Sequence, residues 1–309
     1  DNDTQGKLFL WFTAFFYAMM IYCLIYMNVL MLPESASIEG EHDDNLFNIT
    51  FILIGVVQFI MQFLIFYFAY KYRGKKENKA LFFADSHKLE AIWTIVPAVV
   101  LVVLIGYGLW QWNNIMDLSD AEDPVIIEVY AKQFQWEARY AGDDNALGRG
   151  NVHYIDISNN NTMGVDMSDV NAKDDKKLSA ISPIMYLPKG RKVIFKFRSQ
   201  DVLHSAYMPH FRAQMNCVPG MVTEFGFTPK FTTEEMRVQS EVVAKTAVIN
   251  EIRKKNGQDP YEFDYILLCN KICGASHFNM QMKIVVVEQE AFDKWYAEQP
   301  TLGEELAIK

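Results

Sequence analysis

Three apolar runs without a single charged residue, Leu8 to Leu32, Phe51 to Tyr70 and Ala91 to Trp110, occupy the first part of the chain. Each is about 20 residues or longer, enough to cross a hydrocarbon core of roughly 30 Å. In lipid every backbone N–H and C=O must find a partner within the protein, which makes a helix the natural form for such a run. Spans over 8–32, 51–70 and 91–112 are therefore expected, in a membrane anchor covering 1–113. The first run exceeds the roughly 7–15 apolar residues of a secretory signal and no small-residue cleavage site follows it, so it is expected to be retained. A buried helix of a soluble domain would carry a polar stripe, which this run lacks.

Charge orients these spans. The connection from Lys71 to Lys88 holds Lys71, Arg73, Lys75, Lys76, Lys79 and Lys88, whereas the earlier one, Pro33 to Asn45, is acidic. Short positive loops stay inside, so 71–88 is expected in the cytoplasm and the residues after the third span on the outer face. In a bacterium that is the periplasmic side of the inner, energy-transducing membrane. Three crossings put Asp1 inside. The chain starts without Met, from which missing upstream residues or a processed N-terminus is expected.

Beyond Trp112 the pattern changes. The segments 125–130, 134–140, 192–198, 221–227, 261–268 and 282–287 are short and rich in β-branched and aromatic residues, the signature of strands. Several short strands with turn signals and no alternating helices suggest an all-β Greek-key sandwich over 114–298, with its loops gathered at the ends and a tail at 299–309. Two insertions are expected. Residues 141–182 are rich in Asp and Asn with little periodicity, and 228–260 contains a helix start at Thr232-Thr-Glu-Glu and a stop before Gly257, giving one helix over 232–256.

Within that domain the chain reads Cys269-Asn-Lys-Ile-Cys273-Gly-Ala-Ser-His277-Phe-Asn-Met280, which gathers two thiols, an imidazole and a thioether. Soft sulfur with imidazole selects copper over hard cations, and a thioether is a habitual weak ligand of copper. A single-copper electron-transfer centre uses one Cys, so the second points to two bridged coppers, each needing an imidazole. His277 supplies one, and His204, at the end of the strand pattern 192–198, is the candidate for the other. A disulfide between the two cysteines and a zinc site stand as alternatives; zinc would leave Met280 without a role. Taken singly, Met280 reads as core packing and His204 as a satisfied histidine. Cys23 reads as membrane packing and Cys217 as a small buried residue.

The segments Asp201 to His204, Val218-Pro219-Gly220 and Cys269 to Met280, together with Leu89-Glu90-Ala-Ile-Trp93-Thr-Ile-Val-Pro97, resemble the subunit 2 family of cytochrome c oxidase. The resemblance spans most of residues 47–290. It implies a cupredoxin-like fold and a binuclear copper A site. Cys269 and Cys273 would bridge, His204 and His277 would be the terminal imidazoles, and Met280 and the Lys271 backbone carbonyl the weak ligands. It further implies partnership with oxidase subunit 1, which would hold haem and copper B, with other oxidase subunits, and with membrane lipid. Electrons would pass from a c-type cytochrome through copper A to haem, for reduction of oxygen to water coupled to proton translocation. Glu90 would lie at the mouth of a proton path, and Asp201 would help dock the donor, which the net charge of −9 would steer if the donor is basic. No nucleic-acid partner is expected.

Four departures accompany the resemblance. The chain carries three spans where the family usually has two. Lys271 stands where the family has the Glu whose side chain reaches a magnesium ion at the subunit 1 interface, so that ion loses a ligand from this chain. The Asp that commonly precedes the Pro-Gly turn is displaced or replaced around Asn216-Cys217. The aromatic cluster is Phe134-Gln135-Trp136, with Phe134 at the position of the surface Trp that receives electrons; this suggests a different donor, such as a cytochrome tethered to a quinol:cytochrome c oxidoreductase in a supercomplex. Rival readings are a quinol oxidase subunit 2, which lacks copper and is opposed by the intact Cys and His set, and nitrous oxide reductase, a soluble enzyme. A membrane-anchored copper carrier would need an exchangeable site. The chain has no haem-attachment Cys-x-x-Cys-His, so oxygen chemistry belongs to the complex rather than to this subunit.

Overall fold

The computed structural model describes residues 2–26, 32–76, 79, 81–119, 121–178 and 183–307. Two compact units emerge, one of 1–32 with 44–112 and the other of 33–43 with 113–309.

The first unit is helical. Helices α1 (Asn2–Tyr26), α2 (Ile38–Lys71) and α3 (His87–Met116) are each long and apolar enough to span a bilayer. Their large apolar side chains are largely exposed, as lipid-facing surface should be. α1 packs on α2 through Phe9 stacked on Phe66 at 5.6 Å and Tyr17 against Phe59 at 4.9 Å. At its start Asp3 accepts from Arg73 Nε at 2.7 Å. The expected first span, 8–32, runs into residues 27–31, which lie outside the described residues; the helix begins earlier, at Asn2. α2 likewise starts within the acidic connection. Ser37 Oγ accepts the Gly40 N–H at 3.0 Å, an N-cap, and Glu39 and Glu41 sit where the helix dipole favours anions.

The second unit is a sandwich of two five-stranded sheets. The strands are β1 (Val125–Lys132), β2 (Gln135–Tyr140), β3 (Lys176–Lys177), β4 (Ile184–Pro188), β5 (Val193–Ser199), β6 (His204–Met208), β7 (Ala213–Cys217), β8 (Thr223–Phe227), β9 (Tyr265–Cys269) and β10 (Gln281–Val287). One sheet runs β3-β2-β1-β5-β8 and the other β4-β10-β9-β6-β7. Their facing sides meet in an aromatic core where Phe195, Phe211, Phe227 and Tyr265 are buried, Phe227 stacking on Phe195 and Phe211, and Tyr265 tilted against Phe211. Fully burying each such side chain stabilises by about 1.5–3 kcal/mol.

β1 explains the insertion at 141–182. Alternate residues Ile127, Val129 and Ala131 face the sandwich core, as a period of two requires. The opposite face is buried as well, because Tyr130 packs with Met163, Val165, Ala172 and Leu302. Glu128, on that face, is bonded by Arg139 Nε at 2.5 Å and faces Arg198 at 2.9 Å, while Arg139 also holds Asp175 and donates to the Gly148 carbonyl at 2.6 Å. Residues 299–307 of the expected tail 299–309 are part of this layer: they carry helix α7 (Leu302–Ala307), and Leu302 N–H donates to the Asp175 carbonyl at 2.8 Å. A further helix, α6 (Gln289–Ala297), precedes it.

The single helix expected over 232–256 is two, α4 (Thr233–Arg237) and α5 (Ser240–Lys255), which follow β8 in the chain and break at Val238-Gln239. The capping box read at Thr232 and Glu235 is formed. β3, β4, β6 and β7 had no strand expectation, and the strand expected at 261–268 starts only at Tyr265.

Candidate metal centre

β6 and β9 pair with Ala206 opposite Cys269, which puts His204, two residues earlier, level with the loop that follows Cys269. Asn270 N–H donates to the Ser205 carbonyl at 2.9 Å and pins that loop. The ligating atoms of His204, Cys269 and Cys273 all lie within 4.8 Å of one another.

The two Sγ atoms are 3.8 Å apart, far beyond the roughly 2.05 Å of a disulfide, so both cysteines are free thiols. His204 Nδ1 is 3.8 Å from Cys269 Sγ, and His277 Nδ1 is 3.6 Å from Cys273 Sγ. Met280 Sδ lies 3.9 Å from Cys273 Sγ, and the Lys271 carbonyl oxygen 3.2 Å from Cys269 Sγ. Every donor named from the sequence therefore converges on the sulfur pair, with an imidazole toward each sulfur. Lys271 itself is exposed.

A second layer of contacts orients these donors. Asp201 Oδ1 is 2.8 Å from His204 Nε2. Burial works against the charge on Asp201, but bonds from the Gln133 and Val202 backbone and from His204 hold its carboxyl below the usual range. An ionised carboxylate only accepts, so Nε2 donates in this contact, and Nδ1 is the ring nitrogen turned toward Cys269. Trp136 is buried and meets His204 edge-on at 6.3 Å, and its indole Nε1–H donates to the Met280 carbonyl at 3.4 Å. Phe134 stands in the turn between β1 and β2, partly buried against the core. The role of Trp136 toward Met280 was not readable from spacing, because it crosses between distant segments; Asp201 lies only three residues from His204, and the turn between β5 and β6 brings the two together.

Burial, then the neighbouring Cys269, pushes the Cys273 thiol up to about 11. A metal bound there must displace that proton, since thiolate is the ligand form. The donor set, soft and sulfur-rich with two imidazoles and a thioether, fits copper. Cys217, paired in register with His204, is buried and its thiol pushed up to about 12 by burial, which suits a packing role.

Glu90 belongs to the helical unit. It occupies the first turn of α3 with Oε2 3.5 Å from His87 Nδ1.

The family model described as cytochrome c oxidase subunit II, transmembrane domain, matches residues 25–109, which takes in α2 and most of α3 and leaves most of α1 outside. An alternative cytochrome c oxidase subunit 2 from Bradyrhizobium diazoefficiens is 29% identical over 264 residues, covering 85% of this chain and 82% of that protein. A cytochrome c oxidase subunit 2 from Cereibacter sphaeroides is 22% identical over 248 residues, covering 79% and 71%. The crystal structure of the periplasmic domain of subunit II of cytochrome oxidase from Bradyrhizobium japonicum aligns with a TM-score of 0.33 at 16% identity, covering 57% of this chain and 92% of that one.

Proposed function

This chain belongs to the cytochrome c oxidase subunit 2 family, and from that premise we propose that it is the electron-accepting subunit of a haem-copper oxidase, built around a copper A site. The observation that carries the proposal is the convergence of Cys269, Cys273, His204, His277, Met280 and the Lys271 carbonyl on one sulfur pair. When bound, two coppers would supply a one-electron relay whose added charge spreads over both metals and both sulfurs.

The protein's part is to hold the donors still. His204 is fixed by Asp201, Met280 by Trp136 and by its own carbonyl accepting the Cys269 N–H at 3.1 Å, and the loop by Asn270. Outer contacts of this kind orient ligands and limit rearrangement on electron transfer. Phe134 and Trp136 are the residues through which electrons arrive, and Asp201 lies beside them as a docking acid. The positively charged loop before α3 supports a cytoplasmic position for Glu90, at the mouth of a proton path, and an outer, periplasmic position for the copper domain in a bacterial inner membrane. Haem and copper B belong to subunit 1. With Lys271 in place of a carboxylate, position 271 offers no carboxylate to an interface magnesium.

The test is rapid mixing of the complete oxidase with a reduced c-type cytochrome. Wild type passes electrons to haem, and Cys269→Ser stops that transfer while haem remains reducible by a small artificial donor. Unchanged transfer in Cys269→Ser would overturn the proposal.

A further inference from the structure

The turn between β1 and β2 touches both segments that carry the candidate ligands, and one residue of it, Gln133, hydrogen-bonds to both. The Gln133 backbone N–H donates to Asp201 Oδ2 at 2.7 Å, and Asp201 Oδ1 faces His204 Nε2 at 2.8 Å. The Gln133 side-chain amide Nε2 donates to the Cys273 carbonyl. The next residue closes the same contact from the side: a Cβ built on Gly274 would stand 2.7 Å from Phe134 Cζ and 2.9 Å from Gln133 Nε2, and Gly274 has φ +142°. The backbone of the turn thus grips the His204 segment, and its side chains lie on the loop that carries Cys273.

We propose that Gln133 is a positioning residue that couples the placement of His204 to that of Cys273, so that the two halves of the site are held in register before any metal arrives. The proposal rests on the copper reading above and adds a residue that touches no candidate ligand atom directly. Neither spacing nor ligand chemistry requires a Gln here. A side chain that donates to a loop carbonyl has one job that packing alone cannot do, which is to fix the direction of that peptide. Outer contacts to metal ligands are commonly worth about 10–100-fold in metal affinity. Gln133 is solvent-exposed and acts through a carbonyl rather than a ligand atom, so the lower end, about tenfold, is expected.

Two variants separate a hydrogen bond from packing. Gln133→Met keeps the length and bulk against Gly274 but donates nothing; Gln133→Lys restores a donor. The full-length chain in detergent is compared in two states. In the copper-free, reduced state, alkylation of Cys273, counted by mass spectrometry, is expected to run about tenfold faster in Gln133→Met than in wild type and to return toward wild type in Gln133→Lys. With copper loaded, release to a competing chelator follows the same order, and the copper hyperfine pattern shifts in Gln133→Met only. Equal alkylation rates in all three chains would overturn the proposal, whatever the metal does. Wild type that alkylates slowly yet binds no copper would instead defeat the copper reading and leave the coupling of the two segments intact.

Discussion

Replacing Asp201 by alanine removes an acceptor shared by three donors: the Gln133 N–H at 2.7 Å, the Val202 N–H at 2.7 Å and His204 Nε2 at 2.8 Å. Water can take over the two backbone groups, which lie near the surface. It cannot reach His204 so easily, because that ring is fully buried. A buried donor left without a partner costs about 1–3 kcal/mol. The Asp201 carboxylate is 29% exposed, so screening trims the loss to about 1–2 kcal/mol. At about 1.4 kcal/mol per factor of ten, copper retention should weaken roughly 5–30-fold. The assay is equilibrium competition with a copper chelator on the full-length chain in detergent, with copper counted per chain. Asp201→Asn keeps an acceptor for Nε2–H and should lose less. Retention within about twofold of wild type in Asp201→Ala would refute the orienting role of this carboxylate, since that is smaller than the least loss the geometry allows.

Stability and pH behaviour supply two further predictions. Arg139→Met strips the buried Glu128 and Asp175 of their shared guanidinium and should destabilise the outer domain by about 3–5 kcal/mol in denaturant unfolding followed by Trp fluorescence; a loss below about 1 kcal/mol would contradict the anchoring of the insertion by this network. Burial already pushes Asp175 up to about 7, so its folded form binds a proton that the unfolded form has lost, and the Arg139→Met loss should be larger at pH 8 than at pH 6. His210 is pushed the other way: burial, then the Arg212 and Lys245 cations, brings it down to about 4 from 6.5. Between those values the unfolded chain holds the extra proton, so the contribution of His210 to stability is lost as pH falls from about 6.5 to about 4, by up to about 3 kcal/mol. His210→Phe should flatten that part of the stability profile, and an unchanged slope would refute it.

What was legible from sequence follows from how local each signal is. The three spans are runs of apolar residues, a property of composition within a window, and they appear as helices at those places, though all three helices begin earlier than expected because N-terminal polar turns continue them. The all-β character of the outer domain was equally local. β4, β6 and β7 escaped because they are five residues each and two of them, His204-Ser-Ala-Tyr-Met and Ala-Gln-Met-Asn-Cys, lack the β-branched run that marks a strand. Their strand state comes from neighbours in the sheet, and no window on the sequence contains those. The same reason separates the two layers of the candidate metal centre. Cys269 to Met280 is one short stretch whose chemistry can be read directly. Trp136 toward Met280 and Gln133 toward Asp201 and Cys273 depend on β2 and the β1–β2 turn meeting segments about 70 and 140 residues away, an outcome of the sandwich topology, whereas Asp201 reaches His204 within one local turn. The polar residues Glu128 and Arg139 within strands were similarly opaque, because only the insertion folded over the outer face of β1 makes their burial intelligible.

The account rests most directly on the metal stoichiometry of the sulfur pair. Copper-loaded full-length chain in detergent should hold two coppers and give an electron paramagnetic resonance signal of one unpaired electron split equally by two copper nuclei, lost in Cys269→Ser. A signal split by a single copper nucleus with one copper per chain, or zinc with no signal, would contradict it.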